Sequence, residues 1–374
     1  MARLVTADFS NNAEPCVLRY TTVDNKMISI KTNAFDAEII SHTYENGKGN
    51  IVFAKPITLI NHQAFWGCKT LKDISIPNSV ETIGVEAFYD CKSLPIIDNI
   101  RYAGTCLVEV VDKRRTSYNI KENTKYICSD AFYGCHDVIN ITIPNSVIYI
   151  GDLAFYQCTN LEYIKLPNAI DTLNAGVFSC CRKLKEISIP NGVTSIGDEA
   201  FHECCSLINI VIPRRVTKIG YGAFGGCSKL EHVVIPESVT TIGEGAFSSC
   251  TNLLEISLPS KVVSISEGMF QLCISLTNVV ITDNIRSIED DAFSCCYKLE
   301  SLTISKNVYN IGENAFRGCN LKYIYCRATM PPSLKRNYFG EITAFENLSD
   351  NATIIVPKGR EKAYLDSDWK KYLE

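Results

Sequence analysis

The stretch IPNSVETIGVEAFYDC, Ile76 to Cys91, is repeated with different surface letters as IPNSVIYIGDLAFYQC, Ile143 to Cys158. Ile, Pro, Val, Ile, Gly, Ala, Phe and Cys hold their intervals while the letters between them drift. Working outward, the Phe of this stretch belongs to a column: Phe65, Phe88, Phe132, Phe155, Phe178, Phe201, Phe224, Phe247, Phe270, Phe293 and Phe316. Nine of its ten intervals are equal 23-residue steps, and the exception, Phe88 to Phe132, is nearly twice as long. Three residues after each Phe stands a Cys, so eleven of the eighteen cysteines share one position in the repeat.

The unit reads L-x-x-I-x-I-P-x-x-V-x-x-I-G-x-x-A-F-x-x-C-x-x. Leu230, Val233, Ile235, Pro236, Val239, Ile242, Gly243, Ala246, Phe247 and Cys250 make one copy. The I-x-I pair alternates with period 2, so both side chains point to one face of a short strand. Pro ends that strand because it has no N–H for a ladder. V-x-x-I and A-F-x-x-C have three-residue spacing, which suits tight turns and single helical turns on the far side. Gly fits the bend between them. One 23-residue coil cannot enclose its own apolar residues, but stacked coils share a continuous core. The expected fold is therefore a β-rich α/β solenoid of about 11–12 coils, in which the fixed letters point inward and the drifting ones face water.

These residues resemble the BspA-like, or Treponema pallidum-type, leucine-rich repeat family common in bacteria of the Bacteroides group. The resemblance covers about residues 51–326 and implies a right-handed superhelix with a cap at each end. The N-terminal cap is expected over 1–50, around LRYTTVDNKMISI from Leu18. The C-terminal cap is expected over 327–374, where ATIIVPKGREKAYLDSDWKKYL gives a closing strand and helix. Trp369, Tyr364 and Leu373 are expected to lay an apolar face over the last coil. The long interval, about 96–120, reads as a degenerate repeat carrying a β-hairpin from IRYAG and CLVEVV. Other copies are imperfect: Val177 and Met269 replace Ala, and Thr282 and Ser305 replace Pro.

The resemblance implies a binding protein, not an enzyme, at the cell surface or secreted, with a protein or glycan partner, as in relatives linked to adhesion. The sequence from Met1 to Cys16 has no apolar signal stretch, which leaves a cytoplasmic scaffold or regulator as the alternative. No run of about 18 apolar residues predicts a spanning helix. The net charge of −4 argues against general nucleic-acid binding. No cofactor or metal is expected, and a monomer is favoured.

The cysteine column reads as buried thiols in a small slot, with a disulfide ladder or zinc as alternatives. The five histidines, His42, His62, His136, His202 and His232, do not stand at ligand spacing from cysteines. The doublets Cys180-Cys181, Cys204-Cys205 and Cys295-Cys296 each put one thiol off the column. GYGAFG, Gly220 to Gly225, matches G-x-G-x-x-G, but its last two glycines straddle the repeat's own Ala-Phe. Arg214-Arg215 and Asp112–Arg115 read as solvated basic spots.

Two surface columns are candidate binding sites. The residue after each column Phe is Trp66, Tyr89, Tyr133 and Tyr156 in the N-terminal copies, an aromatic stripe that either packs between coils or meets a partner. The second column lies on the outward face of the main strands, where Tyr163, Val211, His232 and Val234 are the candidate contact residues.

Overall fold

The computed structural model describes residues 16–31 and 33–373. The first fifteen residues, read above for a secretion signal, lie outside the described residues. The chain divides into two units, residues 1–97 with 101–108, and residues 98–100 with 109–374.

In the first unit an antiparallel sheet precedes the repeats. Ile39–Glu45 and Lys48–Phe53 form a hairpin around Asn46 and Gly47, both with positive φ, as a tight two-residue turn requires. Cys16–Thr22 pairs antiparallel with Lys48–Phe53 on one side and Leu71–Ser75 on the other. Leu71–Ser75 carries Ile74 of the first I-x-I pair, so its outer edge is closed by backbone partners instead of being left open. Within the same unit Gly104 and Thr105 turn the chain between the strand residues 101–103 and 106–108, at the place where the long interval falls.

The second unit is a stack of parallel coils. Asn140–Thr142 pairs with Tyr163–Ile164, Asn209–Val211 with His232–Val234, and Glu255–Ser257 with Asn278–Val280. In each of these pairs the partner is the counterpart strand of the following copy of the repeat, so one coil is one repeat. A second ladder of two-residue strands runs through Thr172–Leu173, Ser195–Ile196, Lys218–Ile219 and Thr241–Ile242. The alternation is as the strand reading demands: Val233 and Ile235 are buried and Val234 between them is 74% exposed.

The column phenylalanines are buried and stacked face to face, with centroids 5.3 Å apart for Phe155–Phe178 and 5.4 Å for Phe224–Phe247. These are distances at which offset aromatic rings attract one another. The column is longer than the strict period indicates. Phe35 packs edge-on against Phe65 in the first unit, and Phe345 stacks on Phe316 at 5.1 Å in the second.

The α/β expectation is corrected. Helix among the described residues is limited to Glu361–Leu365 and a 3-10 segment, Asp368–Tyr372. The A-F-x-x-C arc is a stack of turns, for a backbone reason. Two residues in each coil take positive φ, such as Leu153 at 55° and Gln157 at 57°, and these interrupt any helix. The N–H groups of Leu153, Phe155 and Gln157 donate to Ala175, Val177 and Ser179 of the next coil, at 2.8, 3.0 and 2.9 Å. The alternate N–H groups stay at home, with Tyr156 donating to Leu153 O and Cys158 to Phe155 O. Every second donor therefore links coils, and the arc satisfies its backbone without an α-helix. The architecture is a β-solenoid of about 12 turns.

The glycine before the arc has a packing reason. A methyl group at Gly243 would stand 2.6 Å from the Gly220 carbonyl carbon and closer still to the Tyr221 nitrogen. Where Asn174 and Ser266 replace the glycine, Asn174 Nδ2 and Ser266 Oγ donate to Ile150 O and Ile242 O of the preceding coil, while Glu289 at the same position keeps the backbone bond, from its N–H to Ile265 O. The Asn174 and Ser266 side chains supply the link that the Gly243 N–H makes to Ile219 O.

At the C-terminal end Tyr364 and Trp369 are fully buried, and Leu373 is half-buried. Trp369 Nε1 donates to Pro332 O at 2.8 Å, and its ring lies 5.4 Å from Phe345. Tyr364 donates its hydroxyl proton to Ala328 O at 2.7 Å. The expected closing helix is two short pieces, because the Ser367 side chain caps a fresh start by accepting from Trp369 N.

Candidate binding surface

Apart from the half-buried Cys68, the cysteine column is a set of buried thiols, most of them reaching backward. Cys158, Cys181, Cys204, Cys227, Cys250 and Cys273 each donate S–H to the carbonyl of the column Phe 26 residues earlier, at 3.1–3.3 Å. That carbonyl already accepts an N–H within its own coil, and its second lone pair takes the thiol. No disulfide joins any of the eighteen cysteines, all of which lie among the described residues, and no His/Cys/Asp/Glu cluster among those residues could hold a metal ion. Burial pushes the Cys91 and Cys273 thiols up to about 12 and that of Cys135 to about 11. The protonated thiol is thus the stable form, and the protonated thiol is what donates.

Five cysteines are partly exposed: Cys16, Cys68, Cys180, Cys205 and Cys295. A thiol-disulfide reagent at pH 8 is expected to modify no more than these five promptly in the folded protein, and all eighteen after denaturation. Prompt reaction of additional thiols in the folded state would reject the buried-donor assignment.

The aromatic stripe forms two ring pairs, and three of its four rings are exposed. In the first unit Trp66 and Tyr89 lie 6.3 Å apart at 15°, with 50% and 55% of their surface open. In the second unit Tyr133 and Tyr156 lie 5.1 Å apart. Tyr133 is exposed and Tyr156 half-buried. Lys113 Nζ sits 5.4 Å from the Tyr133 ring centre and donates to Tyr133 O, a cation over an aromatic face. The stripe stops at Ser179, which is buried. Further on, a methyl at Gly225 would stand 2.9 Å from His202 Nδ1, so this column narrows where its residues shrink.

On the strand face the structure brings three of the four candidates together. Asn209 is opposite His232 and Val211 opposite Val234 in one parallel ladder. Val211 and Val234 are 76% and 74% exposed, which is unusual for adjacent β-branched residues of a paired sheet. Tyr163, 54% exposed, stands two coils earlier and lines a groove of about 380 Å³ with Glu162, Lys185, Glu186, Ile208 and Asn209. Lys185 bonds Glu162 at 2.7 Å, and this hydrogen bond holds the Glu162 carboxyl below its usual range. Both side chains are exposed, so the pair positions the groove wall more than it stabilises the fold. The sequence reading missed Ile139, Ile208 and Leu254, three further exposed apolar residues that share one repeat position just before the main strands.

GYGAFG has a structural account. Gly222 takes φ 53°, the first left-handed position of its arc, and Gly225 leaves room for His202. No buried strand and long helix flank it, and the match to a dinucleotide loop is incidental.

The repeat model described as the BspA type leucine rich repeat region matches in 6 copies over residues 38–104, 112–231 and 217–346. A leucine-rich repeat protein from Bacteroides ovatus is 28% identical over 88% of this chain and 94% of its own, with a TM-score of 0.50. The leucine-rich repeat protein of T. pallidum is 30% identical over 52% of this chain and 82% of its own, with a TM-score of 0.38. A leucine rich cell surface protein from Faecalibacterium prausnitzii is 24% identical over 97% of both chains, with a TM-score of 0.46. No curated protein matches the chain. Such repeat proteins are not generally enzymatic, and no helix among the described residues is long and apolar enough to cross a membrane. With the family model covering most of the coils just described, the chain belongs to the BspA-type leucine-rich repeat family.

Proposed function

We propose that this chain is a non-enzymatic binding protein, displayed at the cell surface or secreted, that captures a protein or glycan partner on its strand face. The observation that carries the reading is the exposed Val211–Val234 pair, with His232 beside it and Tyr163 two coils away. Exposed β-branched residues on a rigid ladder cost little ordering entropy when they are covered, and aromatic neighbours are common anchors. The stacked pair Trp66–Tyr89 and the tilted pair Tyr133–Tyr156 are assigned as secondary contacts. Residues 1–50 and 327–374 are assigned as caps of the repeat region.

The test is the double substitution Val211→Lys and Val234→Lys, assayed on protein and glycan arrays beside the parent chain. The variant is expected to melt within about 2 °C of the parent, since both positions are on the surface. It is expected to lose at least about tenfold in affinity for the protein or neutral glycan that the parent captures, by placing charge in an apolar contact. Unchanged capture would refute the strand-face assignment.

A second reading, an intracellular scaffold on the same coils, draws support from eighteen cysteines that form no disulfide with one another. Protease treatment of intact native cells separates the two: loss of the protein supports surface display, and survival until lysis supports the scaffold.

A further inference from the structure

The second unit carries a groove away from the strand face. It has a volume of about 610 Å³, and its walls include Lys261, Val263, Asn284, Arg286, Asn307 and Tyr309. Val263, Arg286 and Tyr309 occupy one repeat position on successive coils, fixed by backbone bonds from Arg286 N to Val263 O and from Tyr309 N to Arg286 O. Lys261, Asn284 and Asn307 occupy a second position on the same three coils. The groove therefore repeats along its length at strand spacing, about 4.8 Å, close to the length of one sugar ring in an extended oligosaccharide.

The chemistry of its walls is specific. Asn284 Nδ2 donates to Ser260 O and Asn307 Nδ2 to Asp283 O, both at 2.6 Å. Each amide is thereby held in place with its carbonyl oxygen left as an acceptor. The Arg286 guanidinium and Lys261 ammonium make no hydrogen bond or ion pair within the described residues, although the chain is acidic overall. One carboxylate stands near. Glu237 accepts from Ser260 Oγ at 2.7 Å and from Ser260 N at 3.0 Å, and these bonds together with the Lys261 charge hold it below its usual range. The Asp283 carboxylate is already engaged by Lys306 and Arg327. Tyr309 is 63% exposed and offers an open ring face.

Fixed acceptors call for hydroxyl donors, unpaired cations call for an anion, and an open aromatic face calls for an apolar ring face. A uronic acid sugar supplies all three on one ring. Arg286 has the fork geometry that pairs with a carboxylate through two parallel bonds. We propose that this groove binds a carboxylated, uronate-containing oligosaccharide, with Arg286 and Lys261 on the carboxylates, Asn284 and Asn307 on hydroxyls, and Tyr309 under a ring. A glutamate-rich peptide carries the charge but has neither the hydroxyl array nor the stacking face.

The experiment titrates the intact chain with tetragalacturonic acid, its fully methyl-esterified form and a hexaglutamate peptide by calorimetry. Saturable binding of the acid is expected, weakening as salt rises. The ester and the peptide are expected to bind at least about tenfold more weakly, the scale of one charge-assisted contact. Arg286→Gln and Tyr309→Ala, both surface changes checked by thermal melting, are each expected to cost about tenfold. The doubly substituted Val211→Lys, Val234→Lys chain is expected to bind the acid as the parent does, so the groove and the strand face succeed or fail separately. No saturable heat, equal binding of ester or peptide, or full affinity in Arg286→Gln would each overturn the proposal.

Discussion

Phe201→Ala is expected to lower the stability of the chain by about 3–5 kcal/mol, read as a shift of the denaturant midpoint at unchanged slope. Phe201 is fully buried and stacks on Phe178 at 5.6 Å and Phe224 at 5.3 Å, so its removal takes a ring contact from each side. Its neighbours cannot close the gap, because backbone bonds between coils fix their spacing: Phe178 N donates to Ala200 O, and Phe201 N to Ala223 O. The Phe201 carbonyl, which accepts the Cys227 thiol, stays in place, so the loss reports ring packing and not the thiol ladder. Trp66→Ala, at an exposed ring, serves as the comparison and is expected to cost under about 1 kcal/mol. A loss at Phe201 no larger than at Trp66 would mean that the column is not the core.

Trp369→Ala is the second large effect, again about 3–5 kcal/mol. The indole fills the space beyond Phe345, the last ring of the column, and its N–H satisfies Pro332 O. Without it that carbonyl loses its donor and the end of the core opens to water. The variant is expected to self-associate as well, because an uncovered core end seeks another. Light scattering behind a sizing column and a denaturant titration read the two consequences. A stable, monodisperse Trp369→Ala chain would show that the C-terminal segment covers nothing essential.

The core of this fold is legible in the sequence because its residues are periodic. Phe, Cys and Pro stand out at a glance, and the constant step between them fixes the coil. Phe35 and Phe345 escape that reading because the steps from Phe35 to Phe65 and from Phe316 to Phe345 are longer than the period, although each keeps the Ala-Phe pair. The helical contribution is overstated by spacing for a different reason. Three-residue spacing of apolar side chains is common to a helical turn and to a stack of tight turns. What separates them is backbone conformation at two positions per coil, and residues such as Leu153, Gln157, Cys180 and Leu272 take positive φ there without the glycine that would signal it. The strand-face candidates follow from the period-2 alternation. The Arg286–Tyr309 groove does not, since it combines two columns whose residue types change along the stack.

The alternating amides of the arc give the stack a polarity. Leu153, Phe155 and Gln157 point their N–H groups toward later residues, while the Cys181 thiol points back to Phe155. Each junction is thus a reciprocal clasp that neither coil can make alone. A chain emerging from the ribosome holds three unanswered donors at its leading coil until the following coil arrives, and every newcomer meets a template already in register.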